Sequence, residues 1–266
     1  MQPSRSRSGT TSNERLPPLP PEPSPYACSL PIRPAAAYIR PMKIILLPGL
    51  DGTGRLLADF AAALRREYEV EVIRYTAEQV AYSAIETWLE PLLPKEDHVI
   101  VAESFSGPLA IGIAAGKPPA LRGVVLVASF ARAPRKLPCG LWRALGWLSV
   151  WPALMARLST PLVVGRYGSE AFQDIYRSVL REVPLRTLLA RLCAVSRLDR
   201  RDRLREIAVP LACLRATRDR LVPARASAEV EAWCAEVHPL DGPHFLLQAR
   251  PEEAATAISG FIARLG

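Results

Sequence analysis

Residues 99–115 read VIVAESFSGPLAIGIAA. One apolar run ends on Ala102 and Glu103, Ser104 follows, and a second apolar run begins after Phe105-Ser106-Gly107-Pro108. The first run, 98–103, has the length and uniform apolarity of a strand covered on both faces. The second, 105–115, is long enough for a helix, and Pro108 falls in its first turn, where proline is tolerated. A strand, a tight turn and a helix place Ser104 at the carboxyl edge of a sheet, with its hydroxyl exposed and a helix N-terminus behind it. Such a turn is crowded, so the residues two before and two after the serine must be small, and here they are Ala102 and Ser106. The G-x-S-x-G pattern has glycine at both places. Taken alone, Ser104 therefore reads either as a nucleophile or as an ordinary serine at a helix cap.

Working outward, the same alternation recurs. Residues 43–47 read as a strand, 55–66 as a helix, 68–75 as a strand and 81–93 as a helix; 121–128 form another apolar strand. After a mostly helical block at about 131–206, strands at 210–216 and 236–239 alternate with helices at 224–235 and 251–265. Strands alternating with helices predict an α/β fold, a mostly parallel sheet with helices on both faces. The 131–206 block interrupts the alternation and is expected to be a helical cap over the carboxyl edge, where ligands bind in open α/β sheets. Its segment 141–164, rich in Trp, Leu and Val, predicts an apolar pocket.

Residues 1–41 differ from the rest, holding ten of the 26 prolines together with Ser, Arg and Gly. Such a segment buries too little apolar surface to offset its ordering entropy and is expected to be a disordered extension. Core-like sequence begins at Met42, which reads as the true start of the protein, so the folded domain is expected over 42–266. No apolar stretch follows the early arginines, so a secretory signal is not indicated. The greasiest run, 144–156, is too short to span a bilayer and contains Pro152, which speaks against stable membrane insertion. The net charge of +8 comes from arginines spread along the chain rather than from a block. Around 197–205 they are interleaved with acids, as on a solvated helix face with internal ion pairs, which gives no case for nucleic acid. The five cysteines, Cys28, Cys139, Cys193, Cys213 and Cys234, are odd in number and lack CxxC spacing. They read as neither a disulfide framework nor a zinc site and fit a reducing, cytoplasmic compartment.

A serine nucleophile needs a base, and the chain has three histidines. His98 opens the strand leading to Ser104 and so sits at the far edge of the sheet. His244 falls in a loop between the last strand and the last helix, where a base belongs; His238, in or just after that strand, is its competitor. A base needs an orienting carboxylate. Asp219 follows the strand 210–216 and precedes His244 by 25 residues, room for one helix and one strand to return the chain to the same edge. Asp241 is the alternative acid, and a turn-forming role for Asp219 stays open. Oxyanion donors are expected from the N–H groups of Phe105, directly after the serine, and of Leu50, in the glycine-rich turn LLPGLDGTG after the first strand. That turn has G-x-x-G-x-G spacing without Gly-Lys-Ser/Thr, so it is not a P-loop.

Taken together, LLPGLDGTG, VAESFSG, RATRDRLVP and GPHFLLQARPEEAATAI resemble the oxyanion loop, nucleophile elbow, acid loop and histidine loop of the α/β-hydrolase superfamily, over about 43–266. The chain departs from the family pattern at Pro48, where many members have His, at Ala102 and Ser106, and at Pro243. The resemblance implies Ser104 as nucleophile, Asp219 as acid, His244 as base, Leu50 and Phe105 as oxyanion donors and a helical cap, with no cofactor or metal. It also implies a core trimmed of the antiparallel strands many members carry before the first parallel one. The expected activity is hydrolysis of a small or medium apolar carboxylic ester through an acyl-enzyme. The alternatives are an acyltransferase delivering the acyl group to an alcohol or thiol, which the Pro-Gly-x-Asp-Gly-Thr-Gly turn also resembles, and a non-catalytic binding module on the same scaffold.

Overall fold

A computed structural model describes residues 42–135, 138–140, 160 and 163–265. The expectations for 1–41, for the run 144–156 and for most of the Trp-rich segment 141–164 lie outside the described residues.

Six strands form one parallel sheet: β1 (Lys43–Leu47), β2 (Glu69–Val72), β3 (His98–Glu103), β4 (Leu121–Val127), β5 (Leu211–Ala216) and β6 (Glu236–Leu240), in the order β2-β1-β3-β4-β5-β6. The helices are α1 (Ala58–Leu64), α2 (Tyr82–Leu89), α3 (Gly107–Ala115), α4 (Glu170–Glu182), α5 (Leu185–Ser196), α6 (Ala224–Glu231), α7 (Leu246–Ala249) and α8 (Pro251–Ala263).

The uniform apolarity of the central strands follows from burial on both faces. Ile44 and Leu46, Val99 and Val101, and Val125 and Val127 point into one core with Phe60 and Leu64 of α1 and Ile258 and Phe261 of α8. Their neighbours Ile45 and Leu47, Ile100 and Ala102, and Val124 and Leu126 point into a second core with Ile85 and Leu89 of α2, Leu109 and Ile113 of α3, and Val230 of α6. Period-two alternation thus sorts these central-strand residues into two oily layers. The strand order reverses between β1 and β3, which opens a crevice at their carboxyl ends.

Helices α4 and α5 lie in the insertion between β4 and β5. The Ser169 hydroxyl caps α4 by accepting from Phe172 N–H. A third apolar cluster joins Val163, Tyr176 and Val179 to Leu56, with Phe172 and Phe245 packed against it. Around 197–205 the chain forms a bridge at Asp199 and a 3-10 turn over Asp202–Glu206 rather than a solvated helix face, while the expected ion pairs are present as Arg201–Asp199 and Arg203–Glu206. Among the described residues no helix is long and apolar enough to cross a membrane.

The cysteine reading is corrected by a Cys139–Cys193 disulfide with Cα atoms 5.0 Å apart, which ties the start of the insertion to α5. The pairing depends on tertiary proximity across 54 residues, which cysteine spacing does not encode. The cysteines therefore no longer argue for a reducing compartment.

Candidate active site

The sequence AESFSG makes a sharp strand-to-helix turn. Glu103 ends β3, residues Ser104–Ser106 form a 3-10 turn, and α3 begins at Gly107. Ser104 adopts φ 47°, a left-handed conformation unfavourable for a residue with a Cβ, at an expense of about 1–2 kcal/mol. Neighbouring bonds hold it there. The buried Ser129 hydroxyl donates to Ser104 O at 2.7 Å. Ser106, small as the turn requires, is also a polar link: its hydroxyl donates to Pro48 O and accepts from Tyr75 OH at 2.7 Å. Gly107 has no room for a side chain, since a Cβ would lie 1.8 Å from Ser129 Oγ.

Ser104, His244 and Asp219 come from the ends of β3, β6 and β5 and are hydrogen-bonded in series. Ser104 Oγ lies 2.8 Å from His244 Nε2, and His244 Nδ1 lies 2.7 Å from Asp219 Oδ2. Asp219 Oδ1 accepts from the backbone N–H groups of Leu221 and Val222 at 2.8 and 2.9 Å. With both Asp219 oxygens acting as acceptors, the imidazole proton sits on Nδ1, and Nε2 is left to accept from Ser104. The His244 and Asp219 side chains are only 5% and 7% exposed, so water competes little for these bonds. The loop carrying His244 is fixed by a Phe245 N–H bond to Val163 O at 2.9 Å and by edge-to-face contacts of Phe245 with Phe172 and Tyr176 of α4.

The other histidines and the alternative acid lie elsewhere. His98 is buried at the opposite end of β3, against Glu96 O. His238 pairs with Glu236, and Asp241 bonds Arg218, Thr217 and Tyr167.

Leu50 lies in the turn after β1, and Phe105 directly follows Ser104. The register pairs Leu47 of β1 with Ala102 of β3, so the turn after β1 runs beside the turn after β3. Gly52, at φ +73°, shapes the first turn, and its N–H bonds Gly49 O at 3.1 Å. The Phe105 ring stacks on Tyr82 with centroids 4.9 Å apart, while Tyr82 OH donates to Phe105 O at 3.0 Å. Both peptides are therefore pinned from within the fold.

Two site residues were not apparent from the sequence. Glu103, at the end of an apolar strand, is 2% exposed and accepts from Gln248 Nε2 at 2.9 Å. Burial pushes its carboxyl up to about 7, against the opposing effects of Gln248, His244 and the Gly49 N–H. A lone acid closing an otherwise oily strand was the available signal. Arg191 of α5 is 1% exposed and reaches the Leu50–Asp51 turn. In a chain this rich in arginine, nothing marked it out. Among the described residues no cluster of His, Cys, Asp and Glu could hold a metal ion.

No protein-family model and no curated protein sequence matches the chain. Solved structures do. An enol-lactonase from Burkholderia xenovorans LB400 superposes with a TM-score of 0.70 at 18% identity, covering 84% of this chain and 92% of its own. A bromoperoxidase from Bacillus anthracis does so at 0.74 and 16%, covering 84% and 92%. A thermophilic esterase from Thermogutta terrifontis does so at 0.70 and 17%, covering 84% and 90%. The fold is thus that of the α/β-hydrolases, as the sequence motifs suggested.

Proposed function

We propose that this protein is a serine hydrolase that cleaves a carboxylic ester through an acyl-enzyme. The observation that carries the reading is the hydrogen-bonded series Ser104–His244–Asp219, with the serine held at φ 47° on a left-handed turn at the end of β3. His244 Nε2 takes the Ser104 proton as Oγ attacks the ester carbonyl, and Asp219 stabilises the imidazolium. The tetrahedral oxyanion is held by the N–H groups of Leu50 and Phe105. His244 then protonates the departing alcohol, leaving Ser104 acylated, and water activated by the same imidazole releases the acid.

The substrate we infer is a small or medium apolar ester. The aromatic cluster of Phe172, Tyr176 and Phe245 beside His244 supports an apolar acyl or alcohol group. The names of two structural neighbours, an enol-lactonase and an esterase, agree with ester chemistry. We assign no nucleic-acid partner. In the arginine-rich stretch 197–205, Arg200, Arg201 and Arg203 each pair with an acid, Arg200 with Glu86 at 2.8 Å.

Ser104→Ala should lower turnover of a nitrophenyl ester by about 10³ or more with the fold intact. Unchanged turnover would remove Ser104 from the mechanism. Product analysis with a competing alcohol separates hydrolysis from acyl transfer: free acid alone supports the hydrolase, and a predominant new ester supports the transferase.

A further inference from the structure

The guanidinium of Arg191 is among the most deeply buried groups in the molecule, yet among the described residues it forms no salt bridge. Among the described residues all of its hydrogen bonds go to main-chain carbonyls. Nη1 donates to Leu50 O at 2.9 Å and Asp51 O at 2.7 Å, Nη2 to Thr76 O at 2.9 Å, and Nε to Gln79 O at 3.0 Å. The charge also lies 5.7 Å from the ring centre of Tyr75 and 5.9 Å from that of Phe105. A helix that needed only to pack here would carry a leucine, because removing a guanidinium from water is heavily opposed unless its donors are satisfied. The planar fork suits several carbonyls at once, which a lysine ammonium does not match.

The destinations of these bonds carry the inference. Leu50 and Asp51 lie in the turn after β1, and the Leu50 N–H is the oxyanion donor that the mechanism above pairs with the Phe105 N–H. Tyr75, under the same guanidinium, holds Ser106 of the elbow through its hydroxyl. Gly52 admits the fork at close range: a Cβ there would lie 2.5 Å from Arg191 Nη1. On the same helix, Thr187 donates to Ala77 O at 2.9 Å, so α5 is anchored at two points along the loop after β2.

Resting on the serine-hydrolase reading above, we propose that Arg191 is a positioning residue for the oxyanion site: from the insertion between β4 and β5 it holds the Leu50–Asp51 turn in register with Phe105. It touches no reacting atom. It fixes peptides whose donors must already be aimed when the oxyanion forms, so its removal weakens transition-state binding more than ground-state binding.

The test compares Arg191→Met and Arg191→Lys with the wild type in the full chain, with the fold verified by circular dichroism. Turnover of nitrophenyl butyrate is measured, together with inhibition by an alkyl trifluoromethyl ketone, which binds as an oxyanion adduct, and by the matching carboxamide, which does not. Arg191→Met is expected to lower kcat by about 30-fold or more, with KM within about threefold, on the scale of a misplaced oxyanion donor. Affinity for the ketone should fall by a similar factor while affinity for the carboxamide stays within about threefold, and Arg191→Lys should lie between. A folded Arg191→Met with wild-type kcat, or one that loses both inhibitors equally, overturns the proposal. If the methionine variant does not fold, Arg191→Lys decides by the same comparison. Ser104→Ala separates the two levels of failure. If it keeps wild-type turnover, the serine mechanism falls and this inference with it. If it is inactive while Arg191→Met is unimpaired, only the positioning role falls.

Discussion

Glu103→Gln should make the protein more stable at alkaline than at acidic pH relative to the wild type. The Glu103 carboxyl is sealed beneath the nucleophile, and burial raises it from 4.5 to about 7. A carboxyl raised on folding holds its proton more tightly in the native state than in the unfolded chain. Its contribution is therefore intact below pH 4.5 and is lost as pH climbs through about 7. A displacement from 4.5 to about 7 amounts to about 3 kcal/mol. The substituted amide carries no such penalty, and it can donate to Gln248 Oε1, a buried acceptor with no partner among the described residues. Denaturant unfolding of both proteins from pH 4.5 to 8.5 measures the effect. The variant's stability minus that of the wild type should rise by about 3 kcal/mol across the range and level off above about pH 8. A difference that stays flat to within about 0.5 kcal/mol would refute the reasoning, because Glu103 would then titrate as in the unfolded chain.

Gly107→Ala drives a Cβ into Ser129 and breaks the bond from Ser129 to Ser104 O. It should destabilise by about 2–4 kcal/mol in thermal or denaturant melts, with partial recovery when Ser129→Gly is added; a wild-type melting temperature would count against the packing described. Cys193→Ser opens a loop closed across 54 residues and should lower stability by about 4 kcal/mol on the chain-entropy estimate. Dithiothreitol should reproduce that loss in the wild type and change nothing in the variant, and equal sensitivity of both would argue against the pairing.

The sheet was legible because its strands are buried on both faces. VIVAE and GVVLV read as strands without any partner in view, and β1, β3 and the turn at Ser104 lie where the apolar runs predicted. The gathering of Ser104, Asp219 and His244 was legible for a topological reason: each follows a strand, and parallel strands end at one edge. Smaller elements set by tertiary contacts were not. The 3-10 turn at Ser104–Ser106 and the short helix α7 merge into longer apolar runs, and the Tyr68–Tyr75 strand is four residues long, β2 at Glu69–Val72. Ser106 looked merely small, whereas its hydroxyl joins the elbow to Pro48 and Tyr75. Arg191 and the Cys139–Cys193 pair act across more than fifty residues, and no local pattern announces such partners.

The most direct measurement is peptide-mapped labelling of the folded protein with a fluorophosphonate, in the wild type and in His244→Ala. If the imidazole activates the hydroxyl it touches, the wild type takes up one equivalent on Ser104 and His244→Ala takes up almost none on the same timescale. Label on another residue, or a folded wild type that stays unlabelled, would contradict the account.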